Sequence, residues 1–172
     1  ELLDNIDTIP TLQKLLSANG YLTHQSGKWW EGDFKRGGFT HGMTEGERHG
    51  DKGLDIGRKG MGEVFNFMDH ARAEDKPFYV WYAPFLPHTP HNPPDSLFQK
   101  YAAKVDSEHL ARYYAVVEWF DQTCGELIDY LNENGLRENT LIYYVCDNGW
   151  IQNPDKPKFD TRSKQTPMEG GI

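Results

Sequence analysis

Leu141-Ile142-Tyr143-Tyr144-Val145-Cys146-Asp147-Asn148-Gly149 is an apolar, aromatic and β-branched run that stops at a carboxylate, an amide and a glycine. Its composition predicts a buried strand over residues 140–146. Open α/β sheets bind ligands beyond the carboxyl ends of their strands, which is where Asp147 and Asn148 would stand. Both carry hard oxygen donors of the kind Ca²⁺ or Mg²⁺ prefers. Asn-Gly is also the commonest two-residue hairpin turn, so the same residues read as a tight turn as well.

Outward from this run the chain alternates strands with helices. Residues 78–83, Phe-Tyr-Val-Trp-Tyr-Ala after Pro77, form a second buried strand pattern that ends just before a histidine-rich loop, and residues 21–25 read as a third. Ile9, Leu12, Leu15 and Leu16 predict a short helix after Thr8 as N-cap, stopped by Gly20. Val64, Phe65, Phe67, Met68 and Ala71 predict another. The longest helix covers 107–134, with Leu110, Tyr114, Val117, Phe120, Cys124, Leu127, Ile128 and Leu131 as its inner stripe and Gly135 as its cap. Residues 27–60, rich in glycine and charge, read as a long loop of the functional kind. The expected fold class is α/β, a mainly parallel sheet with helices on both faces.

A chain of 172 residues is long enough for one domain with a sizeable core. Its net charge of -8, from 26 acidic and 18 basic residues without a basic block, argues against nucleic acid as a partner. No apolar run of about 18 residues suggests a membrane span, and these residues do not open on a basic-then-apolar pattern. Cys124 and Cys146 fit buried thiols better than a disulfide framework.

Three further clusters flank the Asp147-Asn148-Gly149 motif in order. They are Gly20-Tyr21-Leu22-Thr23 leading to Gly27-Lys28-Trp29, then Pro87-His88-Thr89-Pro90-His91, and finally Lys164 ahead of Glu169-Gly170-Gly171. In this order, from about Thr8 to the end, the chain resembles the sulfatase family of the alkaline phosphatase superfamily. The resemblance implies a sulfuric ester hydrolase acting on a sulfated carbohydrate or an aryl sulfate. It implies that residues 1–172 are a partial catalytic domain, without the upstream metal-binding aspartates and formylglycine motif and without the C-terminal part. Such a piece is expected to be inactive alone, and the nucleophile, a formylglycine made from Cys or Ser, is expected upstream.

By the same resemblance Lys28 and Lys164 contact sulfate oxygens, and His88 protonates the leaving oxygen or binds the sulfate. Asp147 and Asn148 hold the Ca²⁺ or Mg²⁺, and His91 belongs to the pocket wall. Sulfate ester cleavage needs such parts, because charge spreads over the sulfuryl oxygens while a poor leaving group departs. Each residue also has a plainer reading: Lys28 as a solvated lysine, His88 and His91 as a proline loop or a transition-metal pair lacking a third ligand, and Lys164 as one cation among Lys156, Lys158 and Arg162. Many sulfatases read Gly-Lys-Trp-His, whereas this chain has Trp30 in the fourth place. Either the site dispenses with that imidazole or His41 or His49, from the loop that follows, reaches back in its stead; the plainer reading of both is exposed loop residues. Trp30 suits the wall of a sugar site.

Strand ends of a parallel sheet open to one edge, so Lys28, His88 and Asp147 are expected in one cleft. Competing readings are a phosphonate or phosphate ester hydrolase on the same scaffold, and a non-catalytic carbohydrate-binding relative. Family habit suggests a periplasmic or secreted enzyme. The oligomeric state is left open.

Overall fold

A computed structural model describes residues 3–146 of the chain. They divide into two compact units with the boundary between Phe85 and Leu86.

The first unit is built on a three-stranded sheet in the order β2-β1-β3, with β1 at Leu22–Gly27, β2 at His41–Gly42 and β3 at Phe78–Ala83. Both pairings are parallel, as the alternating pattern requires. β1 matches β3 along its whole length, from Leu22 beside Phe78 to Gly27 beside Ala83, whereas β2 adds only two rungs, His24 with His41 and Gln25 with Gly42. β1 is buried throughout although Thr23, His24, Gln25 and Ser26 are polar. Most of these side chains find partners, as buried polar groups must. The Gln25 carbonyl accepts from the Thr44 amide and hydroxyl, the Ser26 hydroxyl donates to the Trp81 carbonyl, and the Thr23 hydroxyl accepts from the Thr40 amide.

Adjacent strand residues point to opposite faces of a sheet. Thr23 meets Ser17 of α1 (Leu12–Ala18), and His24 meets the Phe67 ring of α2 (Gly62–Ala73) at 4.8 Å. The two helices therefore cover opposite faces, and the α/β class with helices on both sides stands. α2 buries Val64, Phe67, Met68 and Ala71, as its periodicity predicts.

α1 departs from expectation in two ways. Its N-cap is Thr11, whose hydroxyl accepts from the Lys14 amide, while Thr8 bonds back to the Asn5 carbonyl. Ile9, Leu12 and Leu15 are exposed and Gln13 is buried, because Thr11 and Ser17 tether the helix through the carbonyls of Gly37 and Gly38. Those two bonds set the rotation of a helix only seven residues long.

In the second unit α3 (Asp95–Ala102), absent from the expected elements, packs on α4 (Glu108–Glu133). α4 has the expected bounds, with Ser107 as N-cap accepting from the Leu110 amide. Its buried side is rotated from the expected stripe: Ala111, Ala115, Val116, Thr123 and Leu131 are inside, and Tyr114 and Val117 are exposed. α3 is tied to α4 through Lys100 to Glu118, the Arg112 guanidinium over Phe98, and Tyr101 against Tyr114.

Residues 140–146 do not form the expected strand. After a single turn at Arg137–Asn139 they make no ladder hydrogen bonds with other described residues, and Leu141, Tyr143, Tyr144 and Val145 are between 68% and 92% exposed. Strand composition expresses itself only beside a partner strand, since the ladder satisfies the backbone. Cys146 is exposed there rather than buried, and Cys124 is half-buried. No described helix is long and apolar enough to cross a membrane.

Candidate active site

Lys28 stands where β1 ends. Gly27 has φ +86, and a Cβ on it would lie 1.9 Å from the Ala83 carbonyl oxygen, so only glycine lets the two strand ends close on each other. The Lys28 amide then donates to that same carbonyl at 2.6 Å. The backbone of Lys28 is thus held at the carboxyl edge, and its ammonium group lies 5.6 Å from the centroid of the Phe85 ring, a cation–π contact.

The loop after β2 returns to the same edge. The Trp29 amide donates to the His49 carbonyl, and the His49 ring lies 4.2 Å from that of Trp30 and 6.4 Å from that of Phe85. Phe85 therefore has Lys28 on one contact and His49 on another. His49 and Asp51 adopt φ of +70 and +35 around Gly50 at +114. Side-chain-bearing residues in such conformations cost of order 1–3 kcal/mol each, and they concentrate at functional sites. Beside them a hollow of about 350 Å³ is lined by Trp29, Trp30 and Trp81 together with Lys28, Gln13 and Glu31. Trp30 is 48% exposed, so a large aromatic face is open to solvent.

His41 goes elsewhere. On β2 it pairs with His24, three residues before the end of β1 and so roughly 10 Å back from the edge. Its ring lies 5.3 Å from both Phe67 and His70 of α2. Burial, then neighbouring His70, pulls its pKa down, with Glu74 opposing. His24 beside it is 4% exposed, and burial with a further push from His41 lowers its pKa to about 4. The two expected candidates for the place after Lys28-Trp29 are thereby separated: the structure brings His49, and not His41, to Trp30.

His88 and His91 belong to the second unit. The His88 Nδ1 is 3.0 Å from the Thr89 carbonyl and 3.2 Å from the Thr89 hydroxyl, so Thr89 holds the ring at that edge. His91 packs its ring 5.5 Å from Tyr113 of α4. Asp147, Asn148 and Lys164 lie outside the described residues. Among the described residues no three His, Cys, Asp or Glu side chains come close enough to hold a metal ion.

Two contributors escaped the reading of the sequence. Phe85, between a strand and a proline loop, carries no motif. Asp51 was lost in a charged loop, yet its carboxylate accepts amides from Glu45, Glu47 and Lys52. Burial pushes its pKa up, but these amides and that of Gly46 outweigh it and hold the carboxyl below the ordinary carboxylate value.

The Sulfatase family model matches residues 4–171, and the chain belongs to the sulfatase family. It is 34% identical over 121 residues to a protein of Formosa agariphila named Sulfatase, covering 63% of this chain and 22% of that one. Over 90 residues it is 34% identical to the Uncharacterized sulfatase YdeN of Escherichia coli (strain K12), covering 52% and 16%. Over 117 residues it is 26% identical to the N-acetylgalactosamine-6-sulfatase of Canis lupus familiaris, covering 64% and 21%. The chain thus spans between 16% and 22% of the length of these curated relatives. In fold it is similar to the crystal structure of Ps i-CgsB in complex with k-i-k-neocarrahexaose, with a TM-score of 0.56 at 22% identity, covering 72% of this chain and 36% of that chain.

Proposed function

We propose that the whole protein is a sulfuric ester hydrolase, that its substrate is a sulfated carbohydrate, and that residues 1–172 supply part of its catalytic domain. The observation that carries this is Lys28 fixed at the carboxyl edge of a parallel sheet, beside an exposed Trp30 and a hollow walled by three indole rings. A cation next to aromatic faces suits a ligand that is anionic at one point and a sugar ring elsewhere. Two relatives support the class: one is named for N-acetylgalactosamine, and one structure holds a neocarrahexaose.

In this reading the Lys28 ammonium neutralises charge on the sulfuryl oxygens, more strongly as the S–O bond breaks. His88, its ring held at Nδ1 by Thr89, acts as an imidazolium that gives a proton to the departing sugar oxygen and is left neutral. Trp30 offers a stacking face, and His91 shapes the loop on which His88 stands. The family's formylglycine would supply the attacking oxygen, and its Ca²⁺ or Mg²⁺ would polarise the sulfate. Lys164, Asp147 and Asn148 complete the proposal as a second sulfate contact and the metal ligands.

The test uses the complete protein with His88→Ala and two substrates. A sugar sulfate should lose about 10²–10⁴ in kcat, whereas an aryl sulfate with a strongly acidic leaving group should lose far less. Equal losses would remove the acid role from His88. Turnover of phosphate esters with none of any sulfate ester would overturn the sulfatase reading.

A further inference from the structure

The loop that returns to the end of β1 is organised around one carboxylate. Asp51 Oδ2 accepts from the amides of Glu45 at 2.9 Å and Glu47 at 3.1 Å, while Oδ1 accepts from the Lys52 amide. One side chain therefore closes the backbone on both sides of His49. The same stretch is pressed onto the strand end: a Cβ on Gly50 would lie 2.5 Å from the Gly27 carbonyl oxygen, and one on Gly53 would lie 2.6 Å from it. Between these fixed points the Trp29 amide takes the His49 carbonyl, and the imidazole is left facing Trp30 and Phe85. A histidine held at φ +70 by contacts on either side has few other places to go.

We propose that His49 is the imidazole that acts on the sulfate ester beside Lys28, and that Asp51 is the residue that positions it. The proposal rests on the reading of Lys28 as a sulfate contact. The geometry favours His49 because Phe85 touches both groups, whereas His41, His24 and His70 gather against Phe67 and α2 in the middle of the sheet. The effect of Asp51 passes through the backbone, since its oxygens bind amides.

The test is a double-mutant cycle in the complete protein, with kcat and KM for a sugar sulfate and a melting curve for every variant. His49→Ala should lower kcat/KM about ten- to hundredfold, the value of a hydrogen bond to a charged group. Asp51→Asn keeps an acceptor for Glu45 and Glu47 but turns a donor toward the Lys52 amide, and it should cost no more than His49→Ala. Combined, the two should be no worse than His49→Ala alone, because a positioning residue has nothing left to position. If Asp51→Asn does not fold, Gly50→Ala takes its place, displacing the loop while leaving the carboxylate intact. Full additivity would make Asp51 merely structural and overturn its role. A neutral His49→Ala with an inactive Lys28→Met overturns the inference and spares the site; if Lys28→Met is neutral as well, the reading of the site fails with it.

Discussion

The first unit carries histidines at two places, within its sheet and on the loop that returns to the sheet's edge, and the two differ in everything except residue type. His24 in β1 and His41 in β2 pair side by side, both against Phe67 and His41 also against His70, with both pKa values lowered first by burial. His49 sits at the carboxyl edge on a strained loop, against the half-exposed ring of Trp30. The middle cluster is packing that happens to contain imidazoles, and desolvation disfavours their charged forms. The edge cluster places cation, imidazole and aromatic faces where a ligand can arrive. Position along the strand, rather than the presence of histidine, separates the two.

The sharpest way to break this contrast is Lys28→Met in the complete protein. It should lower kcat/KM about 10²–10³-fold, as for the loss of one group that stabilises transition-state charge. A steady-state assay on any sulfate ester measures it, and an unchanged value would move the site off this edge.

The middle cluster should announce itself in stability instead. The folded pKa of His24, about 4, lies below its unfolded value of 6.5, so the unfolded chain binds more protons between those limits. Its contribution is therefore constant above about pH 6.5, declines as pH falls toward 4, and is flat below. The decline should approach about 3 kcal/mol. Urea titrations at pH 7, 5.5 and 4.5 should show a shallower pH dependence in His24→Leu than in the parent. Parallel curves would mean that His24 is solvated in the folded state.

Smaller effects sharpen the distinction further. Trp30→Ala should raise KM for a sugar sulfate up to about tenfold while moving kcat little, in keeping with the value of an aromatic stacking contact. A fall confined to kcat would remove Trp30 from binding. His41→Ala should leave kcat/KM within about twofold, since nothing ties it to the edge; a loss matching that of His49→Ala would erase the contrast.

Much of the scaffold was legible. Phe78–Ala83 forms a strand because six consecutive strand-favouring or small apolar residues follow a proline, and α4 starts and stops where Ser107 and Gly135 say it should. Helix bounds depend on local caps, but the face a helix buries depends on what arrives against it. α1 therefore buries Gln13 in place of Leu12 and Leu15, and α4 buries Ala111 and Ala115 while Tyr114 and Val117 stay exposed. Residues 140–146 have the composition of a strand and do not form one, because pairing is a property of two segments. At the candidate site Lys28 and Trp30 were visible from their frame. Choosing between His41 and His49 needed the register of β2, a fact of two hydrogen-bonded rungs that no spacing reveals. Asp51 was invisible because its partners are backbone amides, which every residue but proline possesses.

The tight contact of Gly50 and Gly53 with the Gly27 carbonyl also bears on transplantation. Specificity loops are commonly exchanged between relatives as if they were interchangeable parts. Here the loop and the strand terminus fit with no room for a methyl group, since an added Cβ would approach within 2.6 Å. A graft of residues 43–55 onto another scaffold would bring its side chains but lose its seat. The heritable unit is the strand end and the loop together, so compensating substitutions should appear in both or in neither.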